Sequence, residues 1–276
     1  MRTVHNRYAD GPSMDLSDIP AFCERLADAA TDSIMPYFRA RLAVENKEAG
    51  SGRSFDPVTA ADRASEAAMR RLINEACPDH GIIGEEMGAE RRDAEFVWVL
   101  DPIDGTRSFI TGIPLWGVLI GLMRHGRPVF GMMAQPFTRE RFAGDGSRAW
   151  YSGPSGKADL HARACPGLGE AALFTTSPAM FKGPDRAAYD RVEGEARLAR
   201  YGTDCYGYCM VAAGNADVVI EAGLQPYDIV ALIPIIEGAG GRVTDWQGNS
   251  AAAGGRVVAA GDPRLHERVL QRLAGG

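Results

Sequence analysis

The sequence predicts an α+β protein whose sheets are covered on both faces. Three patterns carry this expectation. Apolar residues recur at helical spacing early in the chain, at Phe22, Leu26, Ala29, Ile34 and Phe38 and again at Ala64, Ala68, Leu72 and Ile73. Apolar runs of strand type follow, at Phe96–Leu100 and over residues 116–133. Beyond about residue 155, short strand and helix patterns alternate.

The elements follow in chain order. Residues 1–16 read as a tail. A helix is expected from Asp18 to about Phe38, capped by Ser17, with Pro20 suited to its first turn. The Gly- and Ser-rich segment 46–55 reads as a loop. A second helix runs from Thr59 to Ala76 and is closed by Pro78. Phe96–Leu100 reads as a buried strand ending at a carboxylate. Residues 116–133 form two strands around the turn Arg124–Arg127, and a further pair lies within 134–152. Ser152–Lys157 is the expected linker, dividing an N-terminal α+β subdomain (1–154) from a C-terminal α/β subdomain (155–276). In the second part, strands are expected at Ala171–Thr175, Asp217–Ile220 and Arg242–Thr244. Helices are expected at Tyr206–Ala213, Asp228–Glu237 and Pro263–Leu273. Pro234 inside the second of these helices should cost a hydrogen bond, and nothing in the sequence explains it.

Bulk composition narrows the function. The 276 residues carry a formal net charge of -6 and no strongly basic segment, which argues against a nucleic-acid partner. No stretch has the roughly 18 uncharged apolar residues of a membrane span. The first residues, MRTVHNRYADGPSMD, contain no apolar run and do not read as a signal peptide. The five cysteines are odd in number and include no Cys-x-x-Cys pair, as expected of reduced thiols in a cytoplasmic protein.

The chemistry concentrates in Asp101-Pro102-Ile103-Asp104-Gly105-Thr106. Two carboxylates three apart at the mouth of an apolar strand suit ligands better than core packing. If the chain turns at Pro102 and enters a helix near Asp104, both carboxylates and the N–H groups of Gly105 and Thr106 converge on one point. Taken alone, the segment reads equally well as an Asp-Pro turn followed by a helix cap. Asp62 near a helix start, Glu85 and Glu86 after Ile82-Ile83, and Asp228 after Pro226-Tyr227 shift that balance. Each is bounded by an apolar element and a turn. Oxygen-only ligands suit Mg²⁺, and none of the five histidines lies in these segments. A two-metal site of this kind acidifies a bound water and screens phosphate charge.

On these residues the chain resembles the inositol monophosphatase superfamily of magnesium-dependent phosphatases. The resemblance rests on DPVTAAD (56–62), GEE (84–86), WVLDPIDGTRSFITGIPLWG (98–117) and YDIVALIPIIEGAGGRVTDWQG (227–248). It implies a layered αβαβα sandwich of the inositol monophosphatase and fructose-1,6-bisphosphatase type, assembled as a homodimer. It implies two or three Mg²⁺ ions held by Asp62, Glu85, Asp101, Asp104, Asp228 and the carbonyl of Ile103. Glu85 and Thr106 would orient and activate the attacking water, with Asp62 bonded to the threonine. Asp104, Gly105 and Thr106 would cradle the phosphate of a small monoester. Lys47 takes the place of a lysine that some relatives carry before the second helix.

The segments YGTDCYGY (201–208) and EAGLQPYDIVALIPIIEGAGG (221–241) resemble the histidinol-phosphatase branch. Asp204 stands where inositol-type relatives usually have a small residue. Asp204 and Glu221 would then pair with the ammonium of L-histidinol phosphate, with Arg200 and Asp228 also at the substrate. Tyr206 or Tyr208 would flank the imidazole or pack in the core. Two other readings stand beside this one. The first is an inositol-1-monophosphatase, or a broader phosphatase acting on nucleotide or sugar bisphosphates, for which Arg200 and Lys182 are the candidate second basic pocket. The other is an inactive metal-binding module, disfavoured because Glu85, Asp104 and Thr106 are all present.

Overall fold

The computed structural model describes residues 18–40, 44–46 and 57–275, with side chains for 18–40 and 60–275. The predicted tail 1–16, the Ser17 cap, Lys47 and the rest of the predicted loop to residue 55 lie outside the described residues.

Helix α1 (Ile19–Ile34) opens on Asp18 with Pro20 in its first turn. It ends four residues short of the predicted Phe38. Pro36 has no N–H to continue the ladder, so the chain tightens into a turn in which the Tyr37 N–H donates to the Ile34 carbonyl at 2.9 Å. Strands β1 (Val44–Asn46) and β2 (Pro57–Thr59) pair antiparallel, and α2 (Ala60–Ala76) follows directly.

The first sheet is built from β3 (Gly81–Gly84), β4 (Gly88–Glu90), β5 (Phe96–Asp104), β6 (Gly117–Arg124), β7 (Arg127–Gln135), β8 (Glu140–Gly144), β9 (Ala149–Gly153) and β10 (Gly156–Asp159), with α3 (Thr106–Ile110) after β5. Its order is β10-β9-β8-β7-β6-β5-β3-β4, antiparallel except where β3 runs beside β5. The β6–β7 turn falls at the predicted residues, with His125 and Gly126 both at positive φ, as a two-residue hairpin requires. The predicted linker Ser152–Lys157 is instead the β9–β10 hairpin, in which Gly153 pairs with Gly156. The first sheet therefore continues to Asp159, five residues past the expected subdomain boundary.

The second sheet has the order β12-β11-β13-β15-β14. It comprises β11 (Ala172–Thr175), β12 (Leu198–Tyr201), β13 (Val218–Leu224), β14 (Arg242–Asp245) and β15 (Gly255–Ala260). Its helices are α4 (Pro184–Glu193), α5 (Asp204–Ala212), α6 (Pro226–Ile229), α7 (Leu232–Gly238) and α8 (Pro263–Leu273).

Alternation along the strands assigns each face to a layer. Ile120, Leu122 and Met132 of the first sheet pack with Phe22, Leu26 and Trp98 under α1 and α2. Their neighbours Leu119 and Met133 face the other way, onto Ile235 and Ile236 of α7 and onto Val219, Val257 and Ala259 of the second sheet. Val218, Ile220 and Val258 point outward to Tyr189 and Val192 of α4 and Leu265 and Val269 of α8. The result is the αβαβα sandwich, and it explains why the strand sequences are apolar at successive positions: both faces are buried.

The middle layer is seated on glycine. Gly121, Gly131 and Gly144 are cross-strand partners on β6, β7 and β8. A Cβ at Gly131 would stand 1.8 Å from the Ala231 carbonyl oxygen, and one at Gly144 2.5 Å from that of Pro234. This bare row lets the α6–α7 junction lie directly on the sheet. The predicted helix Asp228–Glu237 is in fact these two helices, broken at Val230-Ala231. The break accounts for Pro234. It is the third residue of α7, where a backbone N–H has no intrahelical partner to lose.

Candidate active site

Strand β5 delivers the central carboxylates. Its pairing with β6 is regular from Phe96 to Asp101 and then shifts register before Asp104. The chain therefore bulges rather than turning at Pro102, and extended structure persists to Asp104. The Ile103 N–H donates to Asp101 Oδ1 at 3.0 Å, and the Thr106 hydroxyl donates to the Ile103 carbonyl at 3.0 Å. Gly105 closes the bulge at φ +87, and a Cβ there would meet the Leu115 carbonyl oxygen at 2.8 Å. Only glycine combines that backbone angle with that clearance. Helix α3 begins at Thr106, two residues beyond the expected entry near Asp104.

Three distant segments close on this bulge. Asp62 lies in the first turn of α2 and is buried. Glu85 follows β3, its N–H bonded to the Leu100 carbonyl of β5 at 3.3 Å. Asp228 belongs to a capping box at the start of α6, where the Gln225 N–H donates to its Oδ2 at 2.6 Å. Oxygen atoms of Asp101, Asp104 and Asp228 lie within 4.8 Å of one another. Burial first, and then the charges of Glu85, Asp104, Asp228 and Asp62, push the Asp101 carboxyl well above the usual range. Asp104 is raised by burial and by Asp204 and Asp228. Five carboxylates thus share one neighbourhood. An all-oxygen donor set whose like charges are this crowded fits hard divalent cations. Glu86 is turned elsewhere, with a carboxylate oxygen 3.7 Å from Arg63 Nε.

A second acidic corner adjoins the first. Asp204 opens α5 at φ +44. Glu221 lies on β13, almost fully buried. Thr176 joins them: its N–H donates to Glu221 Oε1 at 2.7 Å and its hydroxyl to Asp204 Oδ1 at 3.2 Å. Burial pushes Asp204 to about 6, against hydrogen bonds from Thr176 and Ser108 and the nearby Arg107. Burial pushes Glu221 to about 8, against the Thr176 N–H. Its Oε2 is buried with no hydrogen-bond partner among the described residues. The Cys205 N–H donates to Asp104 Oδ2 at 2.6 Å, so α5 fastens this corner to the carboxylate cluster.

The remaining expectations separate. Tyr206 is turned toward the first sheet, its hydroxyl donating to Glu140 Oε2 at 2.6 Å and its ring set edge-on to Phe142. Burial first, and then the charges of Glu221, Asp104 and Asp228, push the Tyr208 hydroxyl well above its usual range. Arg200 is exposed on the edge strand β12, opposite Phe174. All five cysteines are buried and unbridged. Among the described residues no helix is long and apolar enough to cross a membrane. Thr176 and Cys205 are the members that sequence reasoning does not single out. Cys205 acts through its backbone N–H and Thr176 through its N–H as well as its hydroxyl, and no side-chain pattern announces the backbone contacts.

A profile of the inositol monophosphatase family matches residues 15–275. The chain belongs to the inositol monophosphatase family. It is 42% identical over 271 residues to a chloroplastic bifunctional phosphatase of Arabidopsis thaliana, spanning 94% of this chain and 76% of that protein. It is 32% identical to a histidinol-phosphatase of Chlorobaculum parvum, over 91% of this chain and 95% of that one. The solved structure of an inositol monophosphatase from Zymomonas mobilis superposes with a TM-score of 0.83 at 41% identity, covering 95% of this chain and all of the other. The protein is therefore a phosphatase of the inositol monophosphatase family, and its sandwich is the family's layered fold.

Proposed function

We propose that this phosphatase hydrolyses L-histidinol phosphate to L-histidinol and phosphate, with Mg²⁺ as its cofactor. Asp62, Glu85, Asp101, Asp104, Asp228 and the Ile103 carbonyl would hold the metal. Magnesium, when bound, supplies positive charge against the phosphate oxygens and acidifies a bound water. The chain's own groups do the rest. Glu85 and Thr106 orient the attacking water, and Glu85 accepts its proton. The water oxygen forms the new bond to phosphorus in line with the departing alkoxide, which takes up a proton from solvent. No covalent enzyme intermediate is needed. Asp104, Gly105 and Thr106 hold the phosphate.

The choice of substrate rests on one observation: the acidic corner of Asp204 and Glu221, tied by Thr176 and carrying a buried Glu221 oxygen that has no hydrogen-bond partner among the described residues. An ammonium group satisfies such a corner better than a neutral polyol does. The histidinol-phosphatases among the relatives, from Chlorobaculum parvum and Mycobacterium tuberculosis, support the same reading.

The 41% identity to the Zymomonas mobilis inositol monophosphatase favours a second reading, hydrolysis of inositol 1-phosphate. Parallel turnover assays on both esters separate the two. Histidinol phosphate is expected to give the higher kcat/KM. A preference of about tenfold or more for inositol 1-phosphate, worth ~1.4 kcal/mol of transition-state stabilisation, would overturn the assignment.

A further inference from the structure

Glu66 lies one helical turn beyond Asp62 on α2 and is fully buried. A buried carboxylate needs partners, and this one has three. Arg70 Nε donates to its Oε1 at 2.7 Å, the Glu86 N–H to its Oε2 at 2.7 Å, and the Met87 N–H to its Oε1 at 3.1 Å. Arg70 also bonds Glu90 at 2.6 Å and the Gly88 carbonyl, both on β4. The preceding amide, that of Glu85, is taken by the Leu100 carbonyl. Three successive N–H groups, 85 to 87, are thus tied to α2 and β5, the elements that carry Asp62 and Asp101. The same contact explains Gly84, where a Cβ would stand 2.1 Å from Glu66 Oε1. An ion pair that served only the core would not need to engage the backbone around Glu85.

We infer that Glu66, held by Arg70, is a positioning residue that fixes the Glu85 backbone and so sets where the Glu85 carboxylate meets the cation and the attacking water. The inference rests on the proposed role of Glu85. It requires no contact between Glu66 and substrate.

The test uses Glu66→Asp, which keeps the charge but is one methylene too short to reach both amides, beside Glu66→Gln. The first readout is hydrogen exchange at the Glu86 and Met87 amides of the metal-free protein, independent of activity. Exchange is expected to accelerate by about tenfold or more, since bonds to a charged acceptor are being lost. In the second readout, the Mg²⁺ concentration for half-maximal turnover is expected to rise about 10–100-fold, while KM for the phosphate ester moves much less. In a Glu85→Gln background the same Glu66 changes should have no further effect. Should the Glu66 variants fail to fold, Arg70→Lys carries the same two readouts.

Unchanged amide exchange would overturn the clamp. Faster exchange with an unchanged magnesium dependence would overturn its link to function and leave the pair structural. Full activity in Glu85→Gln would sink the role of Glu85 and the inference with it. That result is distinct from an inactive Glu85→Gln beside an unaffected Glu66→Asp, which sinks the inference alone.

Discussion

Asp204 holds a backbone angle, φ +44, that most side chains avoid and that Asp and Asn tolerate. Asparagine there keeps the backbone preference and an acceptor for the Thr176 hydroxyl while removing the charge. In Asp204→Asn, KM for histidinol phosphate is expected to rise about tenfold and that for inositol 1-phosphate to change less than about twofold, because only the first substrate loses a charge-assisted bond. Equal shifts on both esters would remove the ammonium contact. Asp101→Asn addresses the cluster itself. Turnover in saturating magnesium should fall by at least the roughly 10–100-fold that outer partners of a metal cost. The metal-free protein should melt no lower than the parent, because the change relieves crowding around a buried carboxyl. Full turnover would exclude Asp101 from the site. The five clustered carboxylates were legible in the sequence because each stands where an apolar element meets a turn. Thr176, Cys205 and Glu66 were not. Glu66 reads as an ordinary helix glutamate, and the bonds of all three reach residues 20 to 101 positions away.

At the level of elements, the glycine row governs where Asp228 sits. Gly131→Ala places a methyl into the Ala231 carbonyl, and overpacking of this kind costs about 1–3 kcal/mol. Because the junction it displaces carries α6, turnover should fall together with the urea midpoint. Gly167→Ala, at φ -142 with nothing within 4 Å of the new methyl, should leave both unchanged. Wild-type turnover in Gly131→Ala would show that the junction does not set the site. The sequence located α8 and the β6–β7 hairpin because Asp262-Pro263 and His125-Gly126 are strong local stop and start signals. It did not single out α4, β12 or β15. Helix α4 buries only Ala188, Tyr189 and Val192, and β12 is largely exposed. The α6–α7 break was hidden for the opposite reason: buried residues run unbroken from Ile229 to Ile236, so no period marks a boundary.

Across the whole molecule, the buried acids make stability depend on pH. Glu221 and Asp204 lose their protons near pH 4 in the unfolded chain but at about 8 and about 6 when folded. Their protonated folded forms contribute fully below pH 4, and that contribution drains away as pH rises through 8. The buried His266, pushed to about 4, acts in the opposite sense only below its unfolded value near 6.5. From pH 6.5 to 8.5, therefore, the melting temperature of the metal-free protein should fall, and magnesium should flatten the trend. A metal-free melting temperature that climbs over this interval would contradict the protonation of the buried acids.

The trough of glycines has a consequence in time. Strand β7 leaves the ribosome about a hundred residues ahead of Ala231, the residue that fills it. At ordinary synthesis rates of ~5–20 residues per second, that is a delay of roughly 5–20 s. Throughout that interval the nascent N-terminal sheet shows an uncovered apolar flank, and a chain truncated before α7 would be left sticky and prone to aggregate.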